Sequence, residues 1–160
     1  MFDAIRQTLD AEHRASPLYR WSFAYRLVRD RMDRRMLSNR YRAAFHDAYF
    51  GTDEDRAEWL DAQRNLAAIV TAARARGVRI GLVVFPVLID LDPAIYPFAD
   101  VCDAVSAYAI LQGVPTMSLL PAFLGKQDRA LWVSDVDQHP NADAHAIAAD
   151  ALVPFVRALL

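Results

Sequence analysis

The run IGLVVFPVLI, residues 80–89, constrains this chain more than any other stretch. It offers no polar face at all. A strand with one wet side alternates apolar and polar residues, whereas a short, Val- and Ile-rich run without alternation forms a strand buried on both faces. Pro86 closes it. Strands of this kind belong to parallel sheets covered by helices, and parallel neighbours need a long crossover connection, usually helical. A second short run, VPTMSLL at 114–120, reads as a second buried strand. The sequence between the two supplies the crossover. The loop LIDLDPAIYPF, with two prolines, leaves the first strand. A helix is then expected from Ala99 to Gln112, with Val101, Val105, Tyr108 and Leu111 on its inner side and Gly113 as its stop. Strand, helix, strand in this order is the grammar of a right-handed βαβ unit.

Helices are expected on either side of that unit. Residues 1 to about 50 read as helical, and Leu18, Trp21, Tyr25 and Val28 recur at three- and four-residue steps as one apolar stripe. Ser16 before Pro17 suits a helix start. Gly51 ends this segment, and Thr52 or Asp53 is placed to cap the next helix, which carries Leu66, Ile69, Val70 and Ala73 on one face and stops at Gly77. After the second strand a loop is expected across 121–140. A final helix follows from about Ala142 to Leu159, burying Ile147, Leu152, Phe155 and Val156. Only two strands are legible, where a doubly wound sheet usually has about five. The expected organisation is a helical lead segment at 1–55 and an α/β domain at 56–160.

Composition narrows the function classes. The chain has 160 residues, 54% of them hydrophobic and 24% charged, enough for an ordinary folded core. Its net charge of −2 gives no bulk electrostatic reason to expect a nucleic-acid or anionic-membrane partner. Cys102 is the one cysteine, which removes an internal disulfide and argues against a thiolate zinc site; its expected role is a small buried apolar residue. The first fourteen residues, MFDAIRQTLDAEHR, carry charges throughout and lack the apolar core of an export signal. No run approaches the ~18 apolar residues of a membrane span. A cytoplasmic location is the expectation. One local departure from the bulk charge stands out: seven arginines, Arg26, Arg29, Arg31, Arg34, Arg35, Arg40 and Arg42, interrupted by Asp30 and Asp33. A solvated helix face with local ion pairs is the expected reading, with an interaction module as the alternative.

The densest chemistry stands near the end, in WVSDVDQHPNADAHAIAADAL. His139 and His145 lie six residues apart among aspartates. Asn141 is placed as an N-cap, with Pro140 fixing the entry and Asp143 in the first turn. His139 then stands on the turn just before a helix. Asp137, two residues earlier, can fold back onto its imidazole. A carboxylate on one ring nitrogen fixes the tautomer and raises the basicity of the other, which can then serve as general base. Asp135 is a second carboxylate in reach. Two other readings compete on spacing alone: a plain capped helix with solvated acids, and a metal site drawn from Asp137, His139, Asp143 and His145. Topology favours chemistry, because ligands of open α/β sheets sit beyond the carboxyl ends of the strands, where the loops at 85–98 and 120–141 emerge.

DQHPNADAHAIAADAL resembles the last sequence block of the SGNH (GDSL-type) hydrolases, in which an Asp and a His are followed by Pro-Asn and, a turn into the helix, by another His before a small-residue run. The stretch ARARGVRIGLVVFPVL, then YPF, a helix and GVPTMSLLPAF, resembles the strand–loop–helix–strand that precedes that block. The likeness covers about residues 56–160. It implies a partial three-layer αβα, flavodoxin-like parallel sheet, with an ester hydrolase's Ser-His-Asp triad in which His139 is the base and Asp137 its orienting acid. The commonest spacing in the family puts the Asp three residues before the His. That position is Val136 here, between Asp135 and Asp137; some relatives use the shorter spacing, which selects Asp137.

The departures concern the nucleophile. The family's serine lies in a Gly-Asp-Ser segment, and neither that segment nor Gly-x-Asn-Asp occurs here. The serines are Ser16, Ser22, Ser38, Ser106, Ser118 and Ser134, and none sits in a glycine-bearing strand–turn–helix elbow. The expectation is therefore the C-terminal part of an SGNH-like hydrolase, carrying the Asp–His pair for a small-molecule ester substrate and needing no cofactor. The alternative is a catalytically inactive hydrolase domain that self-associates, as a homo-oligomer, through its incomplete sheet edge.

Overall fold

A computed structural model describes residues 11–134 and 137–160, apart from the side chains of 34, 35, 37 and 38. The chain falls into two compact units that divide between Phe45 and His46. In the first, residues 11–15 are helical, α1 spans Pro17–Trp21 and α2 begins at Phe23 and runs to Phe50. Ser16 caps α1, its Oγ accepting from the Tyr19 N–H at 3.3 Å, with Pro17 in the first turn. The single stripe expected through Leu18, Trp21, Tyr25 and Val28 is not continuous. Ser22 adopts extended angles (φ −112°, ψ 112°) between the two helices, and its Oγ accepts from the Tyr25 N–H, starting a new helix. All four stripe residues are exposed. The arginine-rich stretch is helical as expected, yet it is not all solvated. Asp33 is 7% exposed, held by His13 Nε2 at 2.8 Å and Arg29 Nε at 3.1 Å.

The second unit contains the mixed α/β part. Thr52 and Asp55 bond reciprocally, the Thr52 N–H donating to Asp55 Oδ2 at 3.0 Å and the Asp55 N–H to Thr52 Oγ1 at 3.3 Å. This box sits one turn ahead of the regular helix α3 (Ala57–Ala75), whose own cap position, Arg56, makes no side-chain cap bond. Strand β1 (Leu82–Val84), helix α4 (Ala99–Leu111) and strand β2 (Thr116–Ser118) follow. The strands pair parallel, Leu82 opposite Thr116 and Val84 opposite Ser118, as a βαβ crossover requires. The sheet they form has two strands among the described residues.

Core packing explains the order. Val70 of α3, Ala109 of α4 and Val114 are buried together, with Leu66, Ile80 and Leu82 against them. The Tyr108 hydroxyl donates to the Gln63 carbonyl at 2.9 Å, tying α4 to α3, and Arg74 Nη2 donates to the Gln112 carbonyl at 2.6 Å, closing the end of α4. Gly113 there holds φ +68°, the left-handed stop that glycine supplies without strain. Cys102 is buried, and burial pushes its thiol pKa up. Three residues expected inside are outside: Ile69, Leu111 and Val156 are exposed. Ile69 lies one position off the face set by Leu66, Val70 and Ala73. Leu111 and Val156 sit in the last turns of their helices, beyond the buried contacts.

The segment expected to be a loop at 121–140 is the largest correction. It begins with a short helix, α5 (Leu120–Phe123), and a 3-10 turn (Asp128–Leu131). Two strands follow, β3 (Trp132–Ser134) and β4 (Asp137–Pro140), which pair antiparallel with an irregular register, Trp132 opposite Pro140 and Ser134 opposite Asp137. Helix α6 (Ala142–Leu159) completes the unit at the expected bounds. Its buried positions are Ala144 and Ala148, with Ile147, Leu152 and Phe155 half-buried. Small residues here let the helix approach closely. At Gly81 an added Cβ would lie 2.6 Å from Leu159 Cδ1 and 3.1 Å from the Phe155 ring, so α6 lies directly against the backbone entering β1.

Candidate active site

Four contacts join the loop after β1 to the segment after β2. The Trp132 indole Nε1 donates to the Leu88 carbonyl at 2.6 Å, the Gly125 N–H to the Leu91 carbonyl at 2.7 Å, and the Asp90 N–H to Asp128 Oδ2 at 3.2 Å. The Phe85 and Phe123 rings meet with centroids 5.2 Å apart. Beneath them Leu88, Leu91, Tyr96, Phe98, Phe123 and Leu131 are buried. A polar tip therefore stands on an apolar floor beyond the ends of the two parallel strands. Asp90 there holds φ +52°, a left-handed conformation that aspartate tolerates better than most residues. These ties were not foreseen from the sequence. An aspartate-rich Pro loop and a lone Trp before the His block were the signals available.

Asn141 sets the geometry of the block. Its Oδ1 accepts from the Ala144 N–H at 3.1 Å, as an N-cap does. Its Nδ2 donates to the Ala130 carbonyl at 2.8 Å and the Trp132 carbonyl at 3.1 Å, and its own N–H donates to the Leu131 carbonyl at 2.9 Å. One side chain thus clamps the 3-10 turn, β3 and the start of α6 together. β4, with His139, is the piece of chain that this clamp leaves pinned at its end.

Within β4, Asp137 folds back onto His139. Its Oδ1 lies 2.6 Å from His139 Nδ1 and accepts the His139 backbone N–H at 3.1 Å. The Asp137 N–H in turn donates to Ser134 Oγ at 3.1 Å. The hydrogen bond from the His139 ring, followed by that from its backbone, holds the Asp137 carboxyl below its ordinary value. The carboxylate is ionised at neutral pH, so His139 Nδ1 carries the proton and Nε2 is the basic nitrogen. The imidazole is open to water, its side chain 87% exposed and that of Asp137 45%.

The other candidates are placed as follows. Asp135 and Val136 lie outside the described residues. Asp143 stands in the first turn of α6, where the helix dipole favours it, and His145 is exposed further along that helix. Among the described residues no group of three or more His, Cys, Asp and Glu side chains converges as a metal site would need. The described serine hydroxyls have other partners: Ser16 and Ser22 start helices, Ser106 donates to the Cys102 carbonyl, Ser118 accepts from the Leu120 N–H, and Ser134 accepts from the Asp137 N–H; the side chain of Ser38 lies outside the described residues. No hydrogen bond joins any of these hydroxyls to His139. Among the described residues no helix is long and apolar enough to cross a membrane.

Comparison with protein-family models, curated proteins and solved structures finds no match to this chain.

Proposed function

We propose that the chain serves ester hydrolysis of the SGNH (GDSL) type, with His139 as general base and Asp137 as its orienting acid. The observation that carries this reading is the 2.6 Å contact of Asp137 Oδ1 with His139 Nδ1, at the end of a strand that leads directly into a capped helix. In the reaction, a serine Oγ bonds to the carbonyl carbon of a small-molecule ester while its proton passes to His139 Nε2. The tetrahedral adduct collapses as His139 returns that proton to the departing alkoxide, and water repeats the two steps on the acyl-enzyme. Asp137 holds the imidazole and balances its transient positive charge. The chemistry asks for no cofactor. The same reading takes β1, α4 and β2, with α3 and α6, as part of a three-layer αβα flavodoxin-like sheet.

A second reading keeps the hydrolase-like frame without the reaction. It is favoured by the serine inventory, since the described hydroxyls are bonded elsewhere and the sequence lacks the Gly-Asp-Ser segment. The chain would then act by association, with the open edges of the β1–β2 sheet as a template for a second copy.

A fluorophosphonate probe separates the two. It bonds covalently to a serine Oγ only where a base activates that oxygen. Labelling of one serine, located by peptide mapping and abolished in His139→Ala, would make that serine the nucleophile of a complete site and would correct the expectation that the chain carries the Asp–His pair without one. Absence of labelling in a chain shown to be folded by circular dichroism would leave the Asp137–His139 pair without its serine, as the lack of a Gly-Asp-Ser segment leads one to expect, and would favour the association reading for this chain. Unchanged labelling in His139→Ala would remove His139 from the mechanism.

A further inference from the structure

We propose that the N-terminal helical unit docks on an anionic lipid surface, seating lipid phosphates in a basic bowl and inserting Trp21 and Phe23 beside it. The inference concerns residues 11–45 and does not depend on the function proposed for the Asp137–His139 pair.

The bulk charge conceals a strong local surplus. Residues 11–45 hold nine arginines against three acids, Glu12, Asp30 and Asp33. All three acids are engaged. Glu12 pairs with Arg29 at 3.0 Å, Asp33 with His13 and Arg29, and Asp30 accepts the Tyr19 hydroxyl at 2.5 Å. Among the described residues no carboxylate pairs with Arg14, Arg20 or Arg26. These three arginines, with His13 and Tyr19, line a cavity of about 460 Å³, room for a headgroup phosphate with its water. The wall of the bowl is fixed. His13 and Tyr19 stack with centroids 4.0 Å apart and planes 7° from parallel, and the far edges of both rings are anchored on Asp33 and Asp30. Arginines without a carboxylate partner among the described residues, gathered from separate helical segments and backed by a rigid wall, form a site pre-organised for an anion.

The apolar half of the argument is independent. The helix break at Ser22 throws out Trp21, 86% exposed, and Phe23, 73% exposed, and Leu18, Leu27 and Val28 are exposed near them in sequence. The Arg26 guanidinium carbon lies 5.9 Å from the Phe23 ring centroid, so the wedge and the bowl share a residue. Trp and Phe next to arginines suit the boundary between headgroups and acyl chains, where the rings bury and the arginine stems reach back to phosphate. A nucleic acid would use the arginines and stack on the rings, yet it offers nothing to Leu18, Leu27 and Val28. A second copy would bring one basic bowl against another, a like-charge contact that disfavours the pair.

The test is sedimentation of the full chain with vesicles of phosphatidylcholine, with and without phosphatidylglycerol, at low and high salt. The expected result is partition onto the phosphatidylglycerol vesicles alone, falling with salt. Each arginine near an anionic surface is worth roughly a five-fold change in partition, so Arg14→Gln/Arg20→Gln/Arg26→Gln lowers it about a hundred-fold. Trp21→Ser/Phe23→Ser lowers it with charge unchanged; both side chains are exposed, so the chain keeps its helical circular dichroism. Four outcomes would each overturn the proposal: no partition by the folded chain, equal partition onto both vesicles, retention by the triple Gln variant, or retention by the double Ser variant. A DNA duplex or inorganic phosphate that binds where vesicles do not would assign the bowl to a polyanion or a free ion. A solution mass that doubles while vesicles stay unbound would assign the wedge to self-association.

Discussion

Asn141 gives the most demanding quantitative test of the His139 block, because its amide makes three hydrogen bonds of two kinds. Oδ1 accepts from the Ala144 N–H, while Nδ2 donates to the carbonyls of Ala130 and Trp132. Loss of an N-cap costs about 1 kcal/mol. Each donated bond, partly open to solvent, contributes roughly 0.5–1 kcal/mol net. Asn141→Ala should therefore cost about 2–3 kcal/mol, or roughly 5–10 °C in Tm for a chain of this size. Two further variants separate the contributions. Asn141→Ser keeps the cap acceptor and loses both donors, so it should cost about 1–2 kcal/mol. Asn141→Asp keeps the acceptor and improves its charge at the helix N-terminus, but sets a carboxylate oxygen against two carbonyl oxygens, so it should cost more than serine does. Urea denaturation, followed by circular dichroism at neutral pH, reads all three. Intuition from capping alone ranks Asp equal to or better than Asn. If Asn141→Asp proves neutral or stabilising, the clamp onto Ala130 and Trp132 does not exist, and the rigid placement of His139 loses its basis.

Two other expectations follow from geometry already described. Gly81→Ala places a methyl 2.6 Å from Leu159 Cδ1 and 3.1 Å from the Phe155 ring. The leucine tip can turn aside, so the ring sets a cost of about 1 kcal/mol, the low end for overpacking, visible as a lower urea midpoint. An unchanged midpoint would mean that α6 does not press on the chain entering β1. The Asp137 carboxyl is held below the ordinary 3.8, chiefly by the His139 ring, so any stabilisation it brings is complete above that pH and is lost as pH falls through the lower folded value. A carboxyl carbon NMR titration should show its midpoint rising toward the ordinary value in His139→Ala, and stopping short of it because the backbone N–H remains; an unmoved midpoint would refute the ring contact.

The sequence carried the elements whose signals are local and lost those that depend on what lies across the chain. Helix α6 was legible to its ends because Pro140, Asn141 and Asp143 write its start in consecutive letters. The parallel strands were legible as short apolar runs between helices, although the expected burial on both faces fails: Val83 of β1 is exposed, and β2, with Thr116 and Ser118 on one face, is half-buried. The Asp137–His139 contact was legible because two residues of spacing keep both groups within reach. The 121–140 segment was read as loop because β3 and β4 are three and four residues long, with an irregular pairing and no alternation to mark them. Their stability comes from outside, through the amide of Asn141 and the bond from Trp132 to a carbonyl 44 residues earlier. The break at Ser22 escaped for the opposite reason. Leu18, Trp21, Tyr25 and Val28 keep helical spacing across it, so periodicity predicts one buried stripe. Periodicity records which side chains would share a face, whereas burial needs a partner for that face. Among the described residues of the first unit, Glu12, Asp30 and Asp33 are spent on His13, Arg29 and Tyr19, while Arg14, Arg20 and Arg26 and the rings of Trp21 and Phe23 are exposed. An exposed apolar stripe interleaved with arginines satisfies the same periodic pattern as a core, and its surroundings, rather than its spacing, decide which of the two it is.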